Sequence, residues 1–434
     1  MKYLNFLFWV FVSFSTLAQS DLTVVAVGEA ELETDRLMVY SAKGANPPVG
    51  LANDILEIVR NDFSFYKNSF TVMKSLDSGD GVSMDDFAKE KYSYVVQAEA
   101  TGNSNAIDLK IKIINVRTKS ELSNLNLKVL RQNLRSEAHQ ISTEIYKAMT
   151  GKTGIFKAKI TFVSDKGASP KRYFKELYVM DFDGQNVKKL TNHQGIVISP
   201  TFNYDNSKIA YSLISKNRAD RNIGLYIYDL KTGDSHLISN QKGINSGAVF
   251  TPDHEHLITT LSFSGNSELY RMDLEGKNLT KITNNSADDV DPTLSSDGTK
   301  MAFLSDRSGK AMIYVADPSA TEKNVKRVSF IGKFNATPSF SPDGKNIVFS
   351  SWDKTFDIYR ITSDGAELFR LTKDFGSNED PSYSLDGEFI IFTSKRVKSR
   401  SSAEQDIYIM DKNGEVIGGL TQGISNCTTP RWSK

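Results

Sequence analysis

Short apolar stretches bounded by turn residues run from Ile160 to Lys434, and they recur in a fixed register. An aliphatic residue followed by a hydroxyl stands at Leu190-Thr191, Ile238-Ser239, Ile282-Thr283, Val328-Ser329, Leu371-Thr372 and Leu420-Thr421. A tyrosine after an aliphatic residue recurs at Tyr178, Tyr226, Tyr270, Tyr314, Tyr359 and Tyr408. A third position, usually proline, falls ten residues after each hydroxyl pair begins: Pro200, Ala248, Pro292, Pro338, Pro381 and Pro430. Its steps of 48, 44, 46, 43 and 49 residues equal those of the first series, so the register is a true internal period. Within one period the pattern predicts four short strands, at 338–340, 346–350, 357–360 and 368–372, with tight turns at Ser341-Pro342-Asp343-Gly344 and Asp364-Gly365. Asp-Gly pairs supply the positive φ that such turns require.

The ends of the repeat set its number. Five complete units begin near Pro200, Ala248, Pro292, Pro338 and Pro381, and a lone first strand follows at 430–434. The three strands that it lacks stand at the other end, at 160–163, 176–180 and 187–190. Joining the two pieces makes a sixth unit and removes an exposed strand edge. Strand-only units of this length cannot bury both faces alone and stack as propeller blades, whereas linear solenoids rarely use them. The chain is therefore expected to be α+β and multidomain, with a six-bladed β-propeller over 155–434 closed by its C-terminal strand. Upstream, 22–27 reads as a strand, and Leu51, Ile55, Ile58, Val59 and Phe63 fall at helical spacing. Segments 94–98, 107–113 and 122–129 read as strands and 134–149 as a helix, giving a small α/β domain over 34–154 with 151–154 as the joint.

A length of 434 residues suits two domains better than one core. Fifty-three basic against 52 acidic residues leave a net charge of +1, so no global field draws nucleic acid, and partners must be recognised by shape and local chemistry. Lys2 precedes an apolar run from Leu4 to Phe14, and Thr16-Leu17-Ala18 supplies small residues at a cleavage spacing. Residues 1–18 are expected to be a secretory signal peptide. The run is shorter than the roughly 20 residues a spanning helix needs, so direct membrane insertion is not expected. No cysteine follows the cleavage site to carry a lipid, and the single Cys427 cannot form an intramolecular disulfide.

The junction between the domains carries the most specific words. His139, Ile145-Tyr146-Lys147-Ala148-Met149-Thr150-Gly151 and Gly154-Ile155-Phe156-Lys157-Ala158-Lys159-Ile160-Thr161-Phe162-Val163 resemble the helix-to-propeller passage of the TolB family. Ser341-Pro342-Asp343-Gly344-Lys345, Tyr178-Val179-Met180-Asp181 and the ending Pro430-Arg431-Trp432-Ser433 are similar to that family's blades and stop. The resemblance covers nearly all of the chain after the leader. It implies a non-enzymatic, monomeric periplasmic adaptor of the Tol–Pal system, supporting outer-membrane integrity and constriction at cell division. By the same resemblance the propeller binds Pal, the peptidoglycan-associated lipoprotein, and other outer-membrane proteins are further partners. The segment 19–33 would contact the inner-membrane protein TolA through Asp21, Leu22, Thr23, Val24, Val25, Ala26 and Val27. Here Val27-Gly28-Glu29-Ala30-Glu31 stands where the family usually has an Asp-Ser-Gly run.

Repeat geometry points to one face. The links between a blade's last strand and the next blade's first strand recur in register, so they should converge on the mouth of the central channel. They offer His193, Asn245, Ser246, Asp288, Asp289, Asp291, Asn335, Thr337, Asn378, Glu379, Asp380, Asn426 and Thr428 as partner-binding residues, with acidic sectors at 288–291 and 379–380. The same residue types also serve ordinary turn chemistry. The acidic sectors hold the hard oxygens calcium prefers but lack a calcium-loop spacing, so no cofactor is assigned and channel calcium stays open. His254-Glu255-His256 has metal-ligand residue types, in a turn where other blades carry Asp-Gly. Asp183 and Asp411 lie in turns between third and fourth strands on the opposite face, where substitution is expected to do little to partner binding.

Two other classes remain. A hydrolase would need a Gly-x-Ser-x-Gly elbow, which is missing, or paired carboxylates such as Asp289 and Glu379. A carbohydrate- or peptidoglycan-binding propeller would place aromatic residues in the mouth links, where few are found.

Overall fold

The computed structural model describes residues 34–41, 49–73, 82–216, 223–399 and 402–434. The expected signal peptide and the segment 19–33, with its strand at 22–27, lie outside the described residues.

The strand that organises the N-terminal domain is one that periodicity does not single out. β1 (Asp35–Ser41) contains the run Leu37-Met38-Val39-Tyr40, buried on both faces, so the polar alternation of a half-exposed strand is missing. β2 (Phe70–Met73), β3 (Tyr94–Gly102), β4 (Ala106–Asn115) and β5 (Ser120–Leu130) complete a sheet in the order β2-β1-β3-β4-β5. β1 runs parallel to both neighbours, while β3, β4 and β5 are antiparallel. Helices α1 (Val49–Ser64) and α3 (Leu134–Thr150) cover the face bearing Leu37 and Val39. The short α2 (Met84–Lys89) lays Phe87 against Met38 and Tyr40 on the other face. α3 ends at Gly151, whose φ of 73° is the left-handed cap that glycine adopts without a Cβ clash.

The propeller has six blades of four antiparallel strands, lettered a to d from the channel outward. Blade 1 is completed from both ends of the repeat: Cys427–Trp432 is its strand a and pairs with strand b, Lys159–Ser164, with Cys427 opposite Ser164 and Trp432 opposite Ile160. Blades 2 to 6 begin with the a strands Ile196–Phe202, Asn245–Phe250, Asp289–Leu294, Phe334–Phe340 and Ser377–Tyr383.

Two of the three sequence anchors have an architectural cause. The hydroxyl just after strand d accepts a backbone N–H from strand c, in Leu177 to Thr191, Leu269 to Thr283, Ile313 to Ser329, Ile358 to Thr372 and Ile407 to Thr421, at 2.8 to 3.0 Å. In three blades the same hydroxyl donates to the acid one residue before that N–H: Glu176, Asp357 and Asp406. In five blades the repeated tyrosine sits in strand c opposite an aromatic of strand b, as in Phe162 and Tyr178 with centroids 5.5 Å apart, or Phe349 and Tyr359 at 6.0 Å, while in blade 3 Tyr270 faces Thr259. Such cross-strand pairs stabilise a sheet by roughly 0.2–1 kcal/mol each.

Cys427 has no exposed surface, and burial pushes its thiol up to about 11. Native protein is therefore expected to resist a thiol-alkylating reagent at neutral pH and to be labelled fully once unfolded. Stoichiometric labelling of the folded protein would show that blade 1 opens readily.

The α/β domain rests on the face of the a–b and c–d turns, at blades 6 and 1. Tyr66, after α1, donates its hydroxyl to Asp386 at 2.7 Å and accepts the Ile155 N–H at 2.9 Å, with its ring among Tyr146, Phe156 and Phe389. A Cβ on Gly154 would stand 2.7 Å from the Phe156 ring and 2.8 Å from the Tyr66 hydroxyl, so the joint requires glycine. The core is continuous from α1 and α3 into blades 1 and 6. Asp183 and Asp411 do stand on this face, as expected, and both carry a structural role there. Asp183 pairs with Arg135 of α3 at 2.7 Å, and Asp411 accepts Asn68 at 2.9 Å, so both turns hold the N-terminal domain.

Candidate partner-binding face and channel of the propeller

The predicted mouth links are mostly not loops. The structure starts strand a several residues earlier than the proline, at Phe334 rather than Pro338 in blade 5, so the link residues lie within the innermost strands. Every a strand carries a bulge just before the proline position, between 198 and 201, 246 and 249, 290 and 293, 336 and 339, 379 and 382, and 428 and 431. The residue preceding the proline position is left-handed in all six: Ser199, Gly247, Asp291, Thr337, Asp380 and Thr429, with φ between 48° and 62°. For a residue with a Cβ this conformation costs on the order of 1 kcal/mol or more. The six converge on a central cavity of about 140 Å³.

Three residues before each proline position is an inner ring, Val197, Asn245, Asp289, Asn335, Asn378 and Cys427, each 0 % exposed. Asn245 accepts the Ser239 hydroxyl and the Gln241 N–H and donates to the Gln241 carbonyl at 2.7 Å. Asn335 donates to the Ile331 carbonyl at 2.9 Å, and Asn378 donates to the Thr372 hydroxyl at 3.2 Å. Asp289 pairs with Arg307 at 2.8 Å and accepts Asn285 at 2.8 Å. These four side chains fasten the incoming link to its blade and are not presented at the mouth, which corrects their reading as surface contacts. Thr428 is buried and accepts Lys175.

The remaining predicted residues separate into mouth and channel. His193, half-buried against the Tyr211 hydroxyl at 2.7 Å, and Asn426, which donates to Asp165 at 2.8 Å, are held in place by their own blades. Asp288 is exposed, with one oxygen accepting the Ser267 N–H, and Ser246 and Glu379 are partly exposed. Asp291, Thr337 and Asp380 line the channel cavity. Arg431 and Lys434 line it too, and neither was among the residues expected to bind a partner. Burial pushes the Asp291 carboxyl up, opposed by Arg431 and reinforced by Asp380. Burial likewise lowers Arg431, with Asp380 and Asp291 opposing it. Arg431 thus lies near enough to Asp291 and Asp380 to offset part of their charge within the channel. The left-handed ring was recoverable in principle: it is the residue before each proline in the register already found.

Two groups of possible metal ligands are already committed. Asp62, His139 and Asp183 bring ligand atoms within 4.8 Å of one another, but the Arg135 guanidinium sits among them, 2.7 Å from Asp183 and 3.2 Å from His139. His256 bonds Asp253 at 2.9 Å within its own turn. The mouth also has exposed aromatics that the short polar links conceal: Phe330, 70 % exposed in the link from blade 4 to blade 5, and Phe334 opposite Trp352 at the start of blade 5.

Fold and site together define a class: a closed six-bladed propeller that presents a sixfold channel face away from an α/β domain sharing its core. The family model for the TolB β-propeller domain matches residues 146–396. Curated proteins described as Tol-Pal system protein TolB, from Francisella tularensis subsp. mediasiatica strain FSC147 and subsp. tularensis strain SCHU S4, are 30 % identical over 355 residues, covering 79 % of this chain and 79 % of each relative. The crystal structure of TolB from Acinetobacter baumannii superposes with a TM-score of 0.77 at 25 % identity, over 92 % of this chain and 97 % of that one. The chain belongs to the TolB family.

Proposed function

We propose that the protein is the periplasmic, non-enzymatic adaptor of a Tol–Pal envelope system, exported by its leader and acting in outer-membrane integrity and constriction. The observation that carries this reading is the division of faces. The α/β domain occupies the a–b and c–d turns, so the link face, with the channel mouth and its exposed aromatics, is free to receive Pal. Exposed aromatics beside a polar rim have the make-up of an interface anchor. The segment 19–33 is assigned to TolA, adding 22–27 as a strand to a partner sheet.

The test is a binding titration against the Pal protein of the same genome. Asp288→Lys with Glu379→Lys, at the mouth, is expected to weaken Pal binding at least tenfold. Glu275→Lys, in an exposed c–d turn on the opposite face, should leave it unchanged. Equal loss in both variants would put the site on the wrong face. Deleting 19–33 should abolish TolA binding with Pal binding kept or increased. The exposed Phe330 and Trp352 also favour a second reading, stacking of a glycan, and titration with a soluble peptidoglycan fragment in place of Pal tests it.

A further inference from the structure

The near-neutral total charge conceals a local imbalance on the link face. The b–c loops of three consecutive blades, 6, 1 and 2, present Lys395, Lys166, Lys171, Arg172 and Lys216, all exposed. None of the five makes an ion pair with a described residue, although Lys395 lies near enough to Glu379 to act against the burial that raises the Glu379 carboxyl, and Glu404 is exposed opposite Arg396 on the same hairpin. In the other half of the ring the corresponding positions are balanced or uncharged. Arg307 of blade 4 closes onto Asp289 and Glu322, Asp353 of blade 5 pairs with Lys333, and the blade 3 loop at 262–267 has no charged residue.

The basic loops project and do not enclose. In blade 1 the pairing of strands b and c ends at Ser164 opposite Glu176, and the equivalent rung in blade 6 is Ser394 opposite Asp406. The blade 6 hairpin stays paired beyond that rung to Ser399 opposite Ser402, about 16 Å farther at roughly 3.3 Å per residue. Val397 on this extension is 79 % exposed, and Tyr173, next to Arg172, is 54 % exposed. None of these side chains lines the channel cavity. An acidic peptide bound in extended form would need a groove with walls, whereas these groups stand on separate tips along one arc. Cations at the level of lipid headgroups, with an isolated aliphatic side chain and a tyrosine reaching the acyl boundary, are the chemistry of a surface that settles on an anionic bilayer.

We propose that this basic crescent docks the protein peripherally on an anionic phospholipid surface, with the α/β domain turned away from the membrane. The inference goes beyond the adaptor reading and does not depend on it, because the test contains no partner protein. The full chain is sedimented with vesicles of phosphatidylethanolamine, with and without phosphatidylglycerol. Binding is expected only when phosphatidylglycerol is present and should fall steeply as salt shortens the reach of the charges. Combining Lys166→Glu, Lys171→Glu and Arg172→Glu, all exposed and free of structural bonds through their side chains, should weaken it at least tenfold. Val397→Ser should weaken it severalfold at unchanged charge, and Lys345→Glu on the opposite face should not alter it. Binding that ignores phosphatidylglycerol, or a triple variant that binds as the natural protein does, would overturn the proposal. Soluble polyglutamate bound as tightly as the vesicles would reassign the crescent to acidic proteins and overturn it equally.

Discussion

Removing residues 430–434 is expected to lower the Tm of the whole propeller by roughly 10 °C or more, and to make unfolding irreversible through aggregation. Trp432 is buried, and truncating a buried tryptophan to alanine alone costs about 3–5 kcal/mol. The deletion also removes the bonds that lace the strand end to two blades. Ser433 exchanges backbone and hydroxyl bonds with Lys159, and Lys434 exchanges bonds with Asn206 of blade 2. What remains is a ring in which the Ile160–Thr161 half of strand b in blade 1 has lost its partner and exposes an edge toward the channel. Differential scanning calorimetry decides the matter: an unchanged Tm would mean that closure through blade 1 contributes little.

A comparable loss is expected from Tyr66→Ala, for a different reason. The tyrosine touches three aromatic rings and bridges the domains through Asp386 and the Ile155 N–H. Burial holds the Asp386 carboxyl above its ordinary range even with this partner, so losing the hydroxyl leaves a buried acid poorly satisfied. The ring deletion should cost about 3–5 kcal/mol. Tyr66→Phe, which keeps the ring, should cost about 1–3 kcal/mol. Because the core is shared, the natural protein should melt in one transition and the alanine variant in two, with the α/β domain unfolding first. A single transition in both would show that the two parts do not rely on this contact.

The comparison of sequence with structure divides along physical lines. The six-bladed ring was legible because each anchor does one geometric job per blade, and the job repeats whatever the rest of the blade contains. Thr191 and Leu420-Thr421 are readable in this sense, as are Tyr178 and its counterparts. β1 was not legible because burial on both faces erases the alternation that periodicity detects. The site failed in another way. Asn245, Asn335 and Asn378 are polar residues of a kind common in exposed links, yet each turns inward to satisfy a backbone group or a neighbouring hydroxyl, and residue type alone does not distinguish the two uses. The structural role of Asp183 and Asp411 was hidden because their partners, Arg135 and Asn68, lie 48 and 343 residues away on the other domain. The basic crescent was hidden by addition, since its cations are cancelled in the total by acids elsewhere on the chain.

The seam in blade 1 lies directly in the path of any mechanical load. The chain leaves α3 at Gly151 and enters strand b of blade 1 at Lys159, the strand hydrogen-bonded to Cys427–Trp432. Tension arriving from the N-terminal side would therefore pull on the one blade held together by two distant pieces of chain. The α/β domain spans that blade and its neighbour, blade 6, through Arg135, Tyr66 and Asn68, and so works as a buckle across the seam. A pull must first peel the domain from both blades before it reaches the clasp, and the strength of the ring under load is set by that interface.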